Sequence, residues 1–182
     1  MSTPSMKTQV LHQASRMLLA RGFHGFSLQE LAEGLHIKKA SLFHHYPSKK
    51  ALVIELYRFY QKAFTDWAEK HENLPPEKQL LAYAKKLTTW ICEKQRVCPV
   101  GALSLEWHLV DPELQSEMKN LHQLHRRWLL ELFKNIDVKV PKAQAVSGAM
   151  ALIQGSIQIA RIKEDPRLVL TNLKTYLKSI KA

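Results

Sequence analysis

The chain has 182 residues, with 27 Lys and Arg against 16 Asp and Glu, a formal charge of +11 before its nine His are counted. A hydrophobic content of 46% excludes a disordered tail, six Gly and eight Pro exclude collagen-like material, and two Cys, Cys92 and Cys98, exclude a secreted disulfide scaffold and fit a reducing compartment. At roughly 150 residues per domain the length allows one globular body or two small ones, and the excess of positive charge predicts an acidic partner.

The first ten residues carry no apolar run of the kind a cleaved secretion signal needs, so the expected location is the cytoplasm. A helix is predicted over residues 7–21, where Val10, Leu11, Ala14, Met17 and Leu18 share one face and Gly22 offers a left-handed stop. The run Phe26-Ser27-Leu28-Gln29-Glu30-Leu31 holds a full start signal: Ser27 as cap, Glu30 closing a capping box, Phe26 placed to staple onto Leu31. That helix breaks near His36, and a short one follows over residues 38–45 until Pro47 disfavours helical geometry at Tyr46. Ser48 caps a longer helix to residue 71, with Leu52, Leu56, Phe59, Tyr60, Ala63, Phe64 and Trp67 among its apolar positions. After Asn73-Leu74-Pro75-Pro76, further helices are predicted over residues 77–93, 100–109, 112–135, 141–163 and 166–180. The expected class is all-α, with about nine helices.

Residues 143–160 contain no charge and are long enough to be tested against a bilayer, but Gln144, Ser147, Gln154, Ser156 and Gln158 would all need partners in lipid. A helix between protein surfaces is the reading preferred, with no membrane partner. The basic residues are unevenly shared. Residues 1–50 hold seven Lys or Arg against Glu30 and Glu33, plus five His, so the amino-terminal quarter is the denser cationic unit.

Two short helices joined by a tight turn, the second bearing Lys38, Lys39, Ser41, His44 and His45, form a helix-turn-helix whose second member fits a major groove. Ala32, Leu35, Ile37 and Leu42 can lock the pair, and the small Ala40 permits close approach to base edges or to the partner helix.

Ser27-Leu28-Gln29-Glu30-Leu31-Ala32, followed by Ile37-Lys38-Lys39-Ala40-Ser41-Leu42-Phe43-His44-His45-Tyr46-Pro47-Ser48-Lys49, resembles the DNA-binding signature of TetR-family transcriptional repressors. The resemblance covers residues 7–57, and the remaining motif-poor helical length is similar to that family's variable regulatory domain. It implies an N-terminal three-helix DNA-binding head, residues 1–50, followed by a ligand-binding and dimerisation domain, residues 51–182. It also implies that Ser27 and Lys49 meet phosphates of double-stranded DNA, while Lys39, Ala40, Ser41, Phe43, His44 and His45 face the groove. The competing reading makes Phe43 and Tyr46 core residues and leaves the two His solvated. Three positions depart from the family pattern: His36 stands where Gly is usual in the turn, Lys38 replaces a small hydroxyl cap, and Phe43 replaces a Tyr.

Gly148, Ala151 and Gly155 recur on one face of the helix over residues 141–163 and allow another backbone to come close. The resemblance implies that the last two helices pair with their copies across a two-fold axis, giving a homodimer that reads a palindromic site. Close packing within one subunit is the alternative. Phe64, Trp67, Trp90, Trp107 and Trp128, with His108 and Gln154 as polar anchors, are the candidate lining of a pocket for a small-molecule effector of unspecified identity, although aromatics at this spacing also make plain core.

The leading expectation is therefore a DNA-binding repressor released by an effector, with no catalytic residue, metal or cofactor. Two others stand beside it: a ligand-independent DNA-binding protein of the same fold, and an all-helical enzyme. No Ser-His-Asp order with a nucleophile turn, glycine-rich phosphate loop or HExxH pair supports the enzyme. His122 and His125, with Glu106 or Glu117, could hold a metal, but a solvated face is the preferred reading. A redox switch at Cys92 and Cys98 is likewise weaker than two buried spectators.

Overall fold

The computed structural model describes residues 5–92 and 98–181, with the side chains of residues 90–92 outside the description. Among the described residues the chain forms helices and no strands: α1 (Met6–Arg21), α2 (Leu28–Gly34), α3 (Lys39–His45), α4 (Lys49–His71), α5 (Pro76–Cys92), α6 (Pro99–Ser104), α7 (Pro112–Lys134), α8 (Lys142–Ile162) and α9 (Arg167–Ile180). None of these helices is long and apolar enough to cross a membrane.

The chain divides into two compact units. The first comprises residues 1–63 and 99–121, so it joins α1–α3 and the larger, amino-terminal part of α4 to α6 and the start of α7. Its core is made by Val10, Leu11, Ala14 and Leu18 of α1, Leu31 and Ala32 of α2, Leu42 of α3, and Leu52, Val53, Leu56 and Tyr57 of α4, all buried. Ala102, Leu103 and Leu114 are buried in the same unit, and the Tyr57 hydroxyl donates to the Pro99 carbonyl at 2.6 Å. A buried hydrogen bond between the Tyr60 and Ser15 hydroxyls, 2.8 Å long, ties α4 to α1.

The turns of this unit follow from local chemistry. At the α1 exit Gly22 adopts φ 77° and ψ −179°, a backbone region essentially closed to residues with a Cβ. The α2 start carries the full capping box: Ser27 Oγ accepts from the Glu30 N–H at 3.1 Å, and Glu30 Oε2 accepts from the Ser27 N–H at 2.7 Å. At the α2 exit His36 takes φ 55°, its N–H reaching the Glu33 carbonyl while the Ile37 N–H reaches that of Ala32. These two bonds are a Schellman closure with His in the place that usually favours Gly. Lys38 then opens α3 with no side-chain cap, as its residue type predicts.

The sixth helix is shorter than predicted. It ends at Ser104 instead of running to residue 109, and the chain turns back through residues 105–109. Leaving the helix there directs the Glu106 carboxylate onto the loop after α1, where Phe23 and His24 need acceptors for their N–H groups.

The second unit comprises residues 64–98 and 122–182. Leu80 and Ala84 of α5, Phe133 of α7, Ala145, Val146, Ala149 and Ile157 of α8, and Val169 and Leu173 of α9 form its core. Helix α9 is strongly amphipathic, with Val169, Leu173, Leu177 and Ile180 on the buried face. Tyr176 lies along α8, donating its hydroxyl to the Ala145 carbonyl at 2.8 Å, and Asn172 donates to the buried Ser156 hydroxyl at 3.0 Å.

Candidate nucleic-acid interface

Helix α3 is amphipathic within seven residues. Leu42 is fully buried, and Lys39, Ala40, Ser41, Phe43, His44 and His45, like the cap residue Lys38, are all exposed. One anchoring Leu is enough because Tyr46, just beyond the helix, is also buried and its N–H closes onto the Leu42 carbonyl at 2.9 Å. The Tyr46 ring is therefore core, while its hydroxyl has no partner among the described residues. Phe43 remains 41% exposed, with the Lys39 ammonium 5.6 Å from its ring centroid. His44 and His45 meet edge to face at 5.5 Å.

The head's cations divide into two groups. Lys7 pairs with Glu55 at 2.8 Å, Arg21 with Glu30 at 3.1 Å, and Lys50 with Asp111 and Glu113 at 3.4 and 3.3 Å. Lys49 is drawn inward. Its ammonium donates to the Phe23 and Phe26 carbonyls, each at 2.8 Å, and lies 4.5 and 5.1 Å from the ring centroids of the same two residues. Burial pushes its pKa down, against the pull of Glu106 and Glu30. Among the described residues Lys38 and Lys39, at the start of α3, have no acidic partner, and Arg16 engages only Gln13. Charge free to meet phosphate thus stands at the start of α3, on Lys38 and Lys39, and at Arg16 of α1.

Glu106 is the residue that sequence reasoning did not place in the head. Its carboxylate, only 18% exposed, accepts from the Phe23 N–H at 2.5 Å, the His24 N–H at 3.1 Å and His24 Nδ1 at 3.1 Å. Burial raises its pKa, but the His24 and Phe23 amides and the His24 ring outweigh that, and on balance it is held below the usual carboxylate range. The loop after α1 is therefore bound on both polar edges, its amides by Glu106 and its carbonyls by Lys49. Ser27 sits at the end of that loop, exposed, with its hydroxyl engaged in the α2 cap. Glu30, accepting from the Ser27 amide and from Arg21, is also held below its usual range.

The candidate effector residues fall in separate places. Phe64, Trp67 and Trp128 join one ring cluster in the second unit with Tyr83 and His125, at centroid distances of 4.1–6.1 Å. Gln154 belongs to the same unit and donates to the buried Cys98 sulfur at 3.3 Å. Burial, aided by Cys98, pushes the Tyr83 hydroxyl well above its usual range. Trp107 and His108 lie instead in the first unit, where Lys119 covers the Trp107 ring at 5.3 Å and His108 is exposed. The side chains of Trp90 and Cys92 lie outside the description.

The three small residues of α8 also separate. A Cβ on Gly148 would stand 2.2 Å from the Tyr176 hydroxyl, so this glycine makes room for α9 of its own subunit. Ala151 and Gly155 are exposed, and a Cβ on Gly155 would meet nothing within 4 Å. Among the described residues no group of three or more His, Cys, Asp or Glu is placed to hold a metal ion. Glu117 accepts from Arg58 and Gln61, and the His125 ring lies against Phe64.

A capped helix, a tight turn and a short helix with an outward cationic face define a helix-turn-helix DNA-binding protein. Residues 10–56 match the family model described as bacterial regulatory proteins, tetR family. An uncharacterized HTH-type transcriptional regulator of Bacillus subtilis, YxaF, is 23% identical over 165 residues, 87% of this chain and 86% of its own length. The HTH-type transcriptional repressor KstR2 of Mycobacterium tuberculosis is 35% identical over 63 residues, 35% of this chain and 30% of its own. A TetR transcriptional regulator from Legionella pneumophila has the same fold, with a TM-score of 0.91 over the whole of both chains at 18% identity. The chain is thus similar to tetR-family regulatory proteins in its DNA-binding segment, residues 10–56, and shares the fold of a TetR transcriptional regulator along its length.

Proposed function

We propose that the protein is a cytoplasmic homodimeric repressor that holds a palindromic operator and releases it when a small molecule binds. The observation that carries the DNA half is the division of charge: four head cations are engaged within the protein, while Lys38 and Lys39 stand on α3 without acidic partners among the described residues. In this reading residues 1–50 are the DNA-binding domain and residues 51–182 the ligand-binding and dimerisation domain. Lys38, Lys39 and Ser41 meet phosphates, as does Ser27 at the α2 start, and Ala40, Phe43, His44 and His45 face the groove. Lys49 acts chiefly by shaping the loop that carries Ser27.

The exposed small-residue stripe of α8, Ala151 and Gly155, supports pairing with the same stripe of a second copy across a two-fold axis. Gly148 then contributes through Tyr176 instead of through the partner. For the effector, the ring cluster around Phe64, Trp67 and Trp128, neighboured through Tyr83 by Cys98 and Gln154, supports an apolar or aromatic compound with one polar group. Phe64 and Trp67 are on the same continuous helix, α4, whose first residue is separated from α3 by three residues. A ring displacement there biases the position of α3, and DNA affinity falls by linkage, typically by about 1–3 kcal/mol.

The test is to titrate a selected operator with the protein in the presence of a panel of aromatic and aliphatic compounds. The reading predicts that at least one compound weakens binding about 5- to 150-fold and that Trp67→Ala removes the response. Unchanged operator affinity across the panel, with no change in tryptophan fluorescence, would favour the ligand-independent DNA binder, which the close mutual packing of the rings also supports.

A further inference from the structure

Helix α3 carries one large apolar side chain on its outward face, Phe43, and the chemistry of DNA gives that ring few partners. Phe43 has no hydrogen-bonding group, so it cannot hold a phosphate or read a donor and acceptor pattern. Its ring is nonetheless not folded into the core, where Leu42 and Tyr46 already fill the inward positions. Ala40, exposed three residues earlier, adds a methyl group on the same face. The ring is also held in place, because the Lys39 ammonium lies 5.6 Å from its centroid, a cation–π distance that fixes one edge of the side chain beside a phosphate-seeking charge. An apolar ring presented next to a cation on a groove-facing helix suits the one apolar group on a major-groove base edge, the 5-methyl of thymine.

We infer that Phe43 is a specificity-determining residue, and that it selects a thymine in each operator half-site by burying that base's methyl group against its ring. The inference rests on the operator-binding reading above and adds to it a base identity. It assigns Lys39 a second task, that of orienting the ring, and it gives the Tyr-to-Phe departure from the family pattern a consequence: a polar contact is exchanged for an apolar one.

The experiment begins with operator sequences selected from random duplex DNA by the intact wild-type protein. Each thymine of a selected operator is then replaced by deoxyuridine, which removes only the methyl group, and binding is measured by fluorescence anisotropy for the wild type, Phe43→Ala and Phe43→Leu. The expected result is one thymine position per half-site at which deoxyuridine weakens wild-type binding about fourfold, the effect of withdrawing one buried methyl-sized group. Replacing both symmetric thymines should cost about fifteenfold, two such effects multiplied. With Phe43→Ala the penalty at that position should vanish, while Phe43→Leu keeps part of it. Because Phe43 is exposed, the variants should retain the wild-type melting temperature and the wild-type salt dependence on non-specific DNA. A deoxyuridine penalty of equal size in wild type and Phe43→Ala, or no sensitive thymine, would overturn the assignment of Phe43 alone. Failure to select any operator would overturn the reading on which it rests, and this inference with it.

Discussion

At the scale of single residues, the side chains divide between those that hold the head together and those that stand ready for DNA. Lys49 illustrates the first kind. Its position at the start of α4 suggests a phosphate contact, but its ammonium closes the loop before α2 by meeting two carbonyls and two rings. Lys49→Ala should accordingly lower thermal stability while changing the salt dependence of DNA binding little. Lys38→Ala and Lys39→Ala should do the reverse. Each removes one phosphate contact per subunit, flattening the slope of log affinity against log salt by about 0.9 per contact, or close to two units in a dimer. An unchanged slope in both variants would remove α3 from the phosphate contacts. Tyr46 offers a separate test. Its hydroxyl is buried without a partner among the described residues, so Tyr46→Phe should raise stability by about 1 kcal/mol, read as a higher urea midpoint.

These residues also mark what a sequence can and cannot disclose. The capping box of Ser27 and Glu30 and the break of α2 near His36 were legible because their causes lie within three or four residues. The buried Leu42 and exposed Lys38 and Lys39 followed from the period of the helix. Glu106 was not legible as part of the head, because its partners Phe23 and His24 precede it by more than eighty residues and no local pattern encodes such a meeting. Gly22 held the one available hint, a residue able to adopt φ 77° at the place where the carboxylate packs.

At the scale of elements, two features carry the account. The first is the turn after α6, which ends that helix early so that Glu106 can serve the loop after α1. Its carboxyl is held below the ordinary glutamate value in the folded state, so it adds stability that is full above that value. The contribution is lost as pH falls through the lower, folded value. Glu106→Gln should therefore destabilise the protein at neutral pH and flatten the acid limb of a plot of melting temperature against pH. An acid limb identical to the wild type would show that the carboxylate is not what holds the loop.

The second feature is the face of α8. Gly148 and Gly155 are equivalent in the sequence pattern, since a stripe of small residues does not say which neighbour it admits. The structure distinguishes them by what a Cβ would meet: the Tyr176 hydroxyl at one, open space at the other. Gly148→Ala should displace Tyr176 and lower stability by about 1–3 kcal/mol, the range for overpacking a close contact. Ala151→Glu should leave the melting temperature of the isolated subunit unchanged and shift the protein toward monomer in sedimentation experiments. A variant that remains dimeric would move the seam off this face.

At the scale of the whole molecule, the charge of +11 that the composition posed as a question acquires a local answer. Lys7, Arg21 and Lys50 are matched by Glu55, Glu30, Asp111 and Glu113, while Lys38 and Lys39 at the start of α3, and Arg16 of α1, have no acidic partner among the described residues. The all-helical class and the order of the helices were readable in the sequence because periodicity, caps and prolines are local. The division into compact units was not, because residues 99–121 join the amino-terminal unit through contacts distant in sequence.

The central claim is that two copies of this face engage one duplex. Selection of bound fragments from random duplex DNA, followed by footprinting and by determination of the number of chains bound, tests it most directly. The expected result is an enriched inverted repeat with half-sites about one helical turn or a multiple of it apart, protected by two chains, and lost in a Lys38→Ala, Lys39→Ala double variant. Binding that enriches no sequence at moderate salt, or one that the double variant retains in full, would contradict it.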